Sequence, residues 1–205
     1  MILINNVSKK FDDKTVFDDY YLGIEEGTFT IISGPSGCGK TTLLYMLGGI
    51  EKPDKGEILY GDTDINKTSK RLFYRDTVGF LFQNFALVEN KTVKENLSMI
   101  QKSGRSKTSI EEALKTVGLS DKLNTKVYKL SGGEQQRVAL ARLLVKKNSV
   151  ILADEPTGSL DSENAKMVMQ ILHKLNKEGK TIIMVTHDAS LFKGADVIVE
   201  IRDGI

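Results

Sequence analysis

The sequence predicts an α/β domain, and three observations predict it: short apolar runs rich in Ile and Val recur along the chain, longer segments of helical period separate them, and a glycine-rich stretch joins one run directly to a helix. The runs lie at 2–7, 29–33, 78–82, 150–153, 181–185 and 197–201. After the second run a helix is expected over 40–47, closed by Gly48-Gly49. Between about 86 and 129 the strand-like runs stop. Polar helical text such as Thr92-Val93-Lys94-Glu95-Asn96-Leu97 and Ile110-Glu111-Glu112-Ala113-Leu114 takes their place, which predicts a helical insertion. Two further helices, 133–146 and 162–177, return the chain to buried strands. The second places Ala165, Val168, Met169, Leu172 and Leu175 on one face.

At 205 residues, 40% hydrophobic and 27% charged, the chain has the composition of one soluble globular domain. A net charge of +2, with no block of like charges, does not advertise a phosphate-backbone partner, so no nucleic acid is expected. The only cysteine, Cys38, has no partner for an internal disulfide. The first residues carry neither a basic stretch nor a long apolar run, so a cytoplasmic location is expected. The longest uncharged stretch, 27–39, is dotted with Gly and Ser and falls short of the ~18 apolar residues of a membrane span. Contact with a membrane would therefore go through a partner.

Gly34-Pro35-Ser36-Gly37-Cys38-Gly39-Lys40-Thr41 fits the pattern G-x-x-x-x-G-K-[ST], between an apolar strand and a helix, the context that the pattern requires. Glycines let backbone N–H groups turn inward around phosphates, and the helix N-terminus adds partial positive charge. Lys40 adds a full charge for the β- and γ-phosphates. The Thr41 hydroxyl is the expected ligand of a bridging Mg²⁺, with Thr42 the weaker candidate. Cys38, inside this loop, is expected to alkylate readily without nucleotide and to be protected by Mg-ATP.

The strand 150–153 ends in Asp154-Glu155, at the strand edge where open α/β sheets bind ligands. Asp154 would hold Mg²⁺ and Glu155 would act as general base on the attacking water. Taken alone, the same pair could simply start a loop or helix. Ser131 and Glu134 form a capping-box pattern, which leaves Gly132 and Gly133 unexplained in a first helical turn. Glycine there costs about 1 kcal/mol against alanine unless something must approach the backbone closely. A phosphate would be such a thing.

Leu130-Ser131-Gly132-Gly133-Glu134, together with the phosphate loop, Asp154-Glu155, Ser159-Leu160-Asp161 and Thr186-His187-Asp188 in that order, resembles the ATP-binding subunit of an ABC transporter over essentially the whole chain. The resemblance implies a P-loop NTPase fold: a RecA-like core with a mostly parallel sheet, an antiparallel β subdomain and an inserted α-helical subdomain. One domain is expected over 1–205, with the catalytic core at 1–85 and 141–205 and the helical subdomain at 86–140. The implied cofactors are ATP and Mg²⁺. The implied partners are a second copy, paired head to tail, and an integral membrane permease that would hold the protein on the inner face of the membrane.

By position, the resemblance assigns Ser131 and Gly133 to the γ-phosphate of the other copy and Gln83 to Mg²⁺ and the attacking water. It assigns His187 to the γ-phosphate and Phe11 to stacking on adenine. Without it, Gln83 would be an ordinary surface residue and Phe11 a core aromatic. The other histidine, His173, matches no motif and is expected to be solvated. Residues 78–85 and 153–161 are similar to the subunits of macrolide-export, lipoprotein-release and bacteriocin-export systems. The resemblance therefore implies export of a peptide, lipopeptide or drug, with transmembrane mechanical signalling to cell-wall hydrolases as the alternative output. The chain departs from the family's pattern at 126–129, which lacks the usual proline, and at Glu134, where glutamine is more usual.

Overall fold

Two sheets organise the protein, here a computed structural model describing residues 1–202; the last three positions of the expected domain 1–205 lie outside the described residues. Strands β1 (Ile2–Phe11), β2 (Lys14–Ile24), β4 (Lys55–Tyr60) and β5 (Thr63–Asp64) form an antiparallel sheet of order β2-β1-β4-β5. Strands β3 (Phe29–Ser33), β6 (Val78–Leu81), β7 (Val150–Asp154), β8 (Thr181–Val185) and β9 (Val197–Glu200) form a parallel sheet of order β6-β7-β8-β3-β9.

The parallel strands β3, β6, β7 and β8 are mostly apolar because both of their faces are covered, whereas the edge strand β9 is largely exposed. Side chains alternate between two cores. Ile151, Ala153, Ile182 and Met184 face α3 (Val93–Ser98), α4 (Ile110–Thr116), α5 (Gly132–Val145) and α6 (Ser162–Lys177). Val150, Leu152, Ile183 and Val185 face α1 (Lys40–Leu47), α2 (Lys70–Asp76) and the antiparallel sheet. Each fully buried aliphatic side chain here contributes about 1.5–3 kcal/mol relative to exposure.

The expected strands and helices all form; 29–33, 181–185, 40–47 and 162–177 match end to end, most other ends shift by one residue, and the run 2–7 continues as β1 to Phe11. The antiparallel subdomain implied by the resemblance is present, but the apolar pattern marked none of β2, β4, β5 and α2. In β2, Asp18 and Asp19 interrupt the apolar alternation on an exposed face, and β4 buries only Ile58 fully. Between 86 and 129 the chain forms α3, α4 and short 3-10 turns, and no strand of either sheet. Three helices begin with the same device. Thr92 with Glu95, Ser109 with Glu112 and Ser131 with Glu134 are complete capping boxes, the serine or threonine oxygen accepting from the third helical N–H and the glutamate accepting from the cap N–H.

His173 is a correction. It is half-buried and stacks on Phe29 at 4.7 Å between ring centroids, because α6 lays its inner face against β3.

Candidate functional site

The loop between β3 and α1 is shaped by glycines that no other residue could replace without strain. Gly34 has φ 146°, and a Cβ there would lie 2.2 Å from the carbonyl oxygen of Ile201. Gly39 has φ 104°, and its Cβ would lie 2.4 Å from the Val16 side chain. Gly39 is also the N-cap of α1 and supplies no capping side chain, so the first-turn N–H groups of α1 stay available to an anion.

Lys40 Nζ donates to the carbonyl of Gly34 at 2.9 Å and to that of Pro35 at 2.5 Å, which places the ammonium inside its own loop. Thr41 Oγ1 donates to Asp154 Oδ1 at 3.2 Å, joining the start of α1 to the end of β7. Asp154 is buried, and burial pushes its carboxyl above the usual range against the opposing hydrogen bonds from Thr41 and Tyr45. Two hard oxygen donors at this spacing suit Mg²⁺, which takes one or two protein oxygens and fills the rest of its octahedron with phosphate oxygens and water. Among the described residues no three His, Cys, Asp or Glu side chains gather as a protein-only metal cage.

Glu155 follows directly, with φ 44°, a left-handed backbone uncommon outside glycine and characteristic of constrained sites. Its N–H bonds the Val185 carbonyl at 3.0 Å, and its Oε1 lies 2.7 Å from His187 Nδ1. The hydrogen bond to Glu155, and then its charge, raise the His187 pKa above the ordinary value. Glu155 Oε2 is buried without a hydrogen-bond partner within the protein.

Phe11, Ser36, Gly37, Gly39, Lys40, Thr41, Thr42, Gln83, Glu155 and His187 together line one open cleft of about 480 Å³. Phe11 is 44% exposed, so it is a surface aromatic at the lip of this cleft and not a core residue. Lys14 and Val16, both on β2, and Val185 at the end of β8 complete the lining, and Lys14 Nζ donates to the Gly37 carbonyl at 3.1 Å. The signal that could have found Lys14 and Val16 is their position beside Phe11 in a hairpin. Another missed neighbour is Tyr45, one helical turn after Thr41 on α1 and within the hydrogen-bonding surroundings of Asp154.

Ser131, Gly132 and Gly133 lie elsewhere, at the start of α5, and none of them lines this cleft. A Cβ on Gly133 would fall 2.7 Å from the Asn164 amide, so close packing against α6 already explains that glycine. On Gly132 the nearest atom to a Cβ is Phe85 Cζ at 4.0 Å, so packing does not explain it. Cys38 is a correction. It is 4% exposed, within the core beneath α1, and the ready alkylation expected from its loop position does not fit that burial.

The sequence profile of the ABC transporter family matches residues 17–158. The chain is 39% identical to a putative hemin import ATP-binding protein of Staphylococcus epidermidis, covering 99% of this chain and 97% of that one. It is 38% identical to a macrolide export ATP-binding/permease protein of Campylobacter jejuni, covering 100% of this chain and 33% of that protein, so it spans about a third of that relative's length. Among solved structures it is similar to a dimeric post-hydrolysis state of an ATP-binding cassette bound to ADP and Pi, with a TM-score of 0.86, 37% identity, and coverage of 100% of this chain and 95% of that one.

Proposed function

We propose, starting from the fact that the chain belongs to the ABC transporter family and is an ATP hydrolase of that family, that it powers a separate membrane permease as a head-to-tail dimer with two ATP molecules at its interface. The observation that carries this reading is the convergence of Lys40, Thr41, Gln83, Glu155 and His187 on one cleft, with Asp154 bonded to Thr41 behind it.

In this reading Gly34, Pro35, Ser36, Gly37, Cys38 and Gly39 cradle the phosphates through their backbone, and Lys40 leaves its loop carbonyls for the β- and γ-phosphates. Thr41 and Asp154, with Thr42 beside them, would hold Mg²⁺, which would supply positive charge against the phosphates. Glu155 takes the proton of the attacking water. His187 holds the γ-phosphate, Gln83 senses the metal and the water, and Phe11 stacks on adenine. Because the start of α5 lies outside its own cleft, Ser131, Gly132 and Gly133 would serve the cleft of the second copy. Residues 1–85 and 141–205 form the catalytic core, and 86–140 the helical subdomain.

The permease would dock near 83–88, beside an apolar groove of about 480 Å³ that includes Phe80, Phe82, Ala86, Met99 and Arg142. Among the described residues no helix is long and apolar enough to cross a membrane. We assign the output to export of a peptide, lipopeptide or drug, supported by the similarity to the macrolide export relative. Purification of the tagged chain from its own membranes, with mass spectrometry of what accompanies it, tests this. The expected companion has few membrane spans and a large external domain, and recovery of ribosomes or DNA repair proteins instead would overturn the reading.

A further inference from the structure

The ammonium of Lys9 is almost buried, with its side chain 8% exposed, although the next two residues of β1, Lys10 and Phe11, are exposed. It lies 2.6 Å from Glu51 Oε1 and 3.4 Å from Asp54 Oδ1, and donates to the Lys52 carbonyl at 2.9 Å. Its hydrogen bond to Glu51 outweighs burial and raises its pKa, so it stays charged. The same ammonium sits over the ring of Phe11, 4.9 Å from the centroid, so one face of that exposed ring is covered by a fixed cation. A buried lysine satisfied by three acceptors on one segment is an anchor. Lys10 strengthens it by donating its N–H to Asp54 Oδ2 at 2.8 Å.

The segment that holds Lys9 directly follows α1, whose other end carries the phosphate loop. Phe11 and the phosphate cradle are therefore tied to opposite ends of one short rigid helix. Lys14, bonded to the Gly37 carbonyl, ties the tip of the β1-β2 hairpin to the loop as well.

We propose that Lys9 is a positioning residue for the nucleotide base: clamped by Glu51 and Asp54, it fixes the Phe11 ring at a set reach from the phosphate loop and leaves one ring face for a purine. This rests on the reading of Phe11 as the adenine platform. The cation also draws the ring's π-density toward itself, so the free face stacks better against an electron-rich base.

The test compares Mg-ADP with Mg-pyrophosphate, which shares the phosphates but has no base, by calorimetry on the full chain. Lys9→Met keeps the stem and removes the charge. It should weaken ADP by roughly threefold to tenfold, the range of a cation–π contact, and change pyrophosphate by less than about twofold. Lys9→Arg should recover most of the ADP affinity. Equal weakening of both ligands, or unchanged ADP affinity in a folded Lys9→Met protein, overturns the proposal. If Lys9→Met does not fold, Glu51→Gln, which loosens the ammonium from its exposed side, must give the same ADP-selective loss, and its failure to do so counts equally against the proposal. Phe11→Ala separates the two readings. If it weakens ADP while Lys9→Met does not, only the role of Lys9 falls; if it leaves ADP affinity intact, the base platform itself is wrong.

Discussion

His187 Nδ1 lies 2.7 Å from Glu155 Oε1, pairing a ring that is 74% exposed with a carboxylate that is 15% exposed. A histidine in that position is poised to be charged when it meets a phosphate, and the carboxylate beside it is held away from bulk water.

The pair sets a pH dependence. The hydrogen bond to Glu155 raises the folded-state pKa of His187 above its unfolded value of about 6.5. Its contribution to stability is therefore complete below about 6.5 and is lost as pH rises through the higher folded-state value. An NMR titration of the His187 ring should show a midpoint above that reference, and Glu155→Gln should bring it down. A midpoint that is the same in both proteins would remove the link between the two residues.

Glu155→Gln should still bind ATP while turnover falls by roughly a hundredfold to ten-thousandfold, the usual contribution of a general base. The unhydrolysed nucleotide should then accumulate a dimer on size-exclusion chromatography. Turnover within a few-fold of the parent would exclude Glu155 as the base.

Thr41→Val and Asp154→Asn should raise the Mg²⁺ concentration needed for half-maximal turnover by about tenfold to a hundredfold, the scale of lost metal-site contacts. ATP binding in EDTA should change far less. Turnover measured over a Mg²⁺ series distinguishes this from a general loss of folding, which would depress every point alike.

Gly132 and Gly133 should separate in their effects. Gly133→Ala must displace the Asn164 amide and should lower the thermal midpoint of the isolated chain. Gly132→Ala meets only Phe85 Cζ, at an ordinary contact distance of 4.0 Å, and improves helix propensity by about 1 kcal/mol, so the midpoint should hold or rise while the ATP-dependent dimer is lost. A Gly132→Ala protein that still dimerises with ATP would show that nothing needs to approach that backbone.

Most of the fold was legible where burial is two-sided, because a strand such as Thr181–Val185 is buried at every position and apolar at all but Thr181. The antiparallel sheet was implied only by the resemblance, since β2 and β4 bury few residues fully and carry Asp18, Asp19, Lys55 and Glu57, which break the apolar pattern. The phosphate loop was legible because its chemistry fixes residue types at fixed spacing. The pairing of Glu155 with His187 was not, because it joins the ends of β7 and β8, which are neighbours only through sheet order. The burial of Cys38 and the stacking of His173 on Phe29 escaped for the same reason, as both depend on what another element places against them.

The three capping boxes make the starts of α3, α4 and α5 acid-sensitive in the same way. Glu95, Glu112 and Glu134 each have a lowered pKa, chiefly because the carboxylate accepts the cap N–H of Thr92, Ser109 or Ser131. Stability from a lowered carboxylate is present above the unfolded value of about 4.3 and disappears as pH falls through the folded one. On acidification these helix starts should loosen together while the parallel sheet, whose ladder contains no titrating group except Asp154 and Glu200 at strand ends, keeps its amide protection. The start of α5, the surface proposed to meet a second copy, would then loosen with the other two.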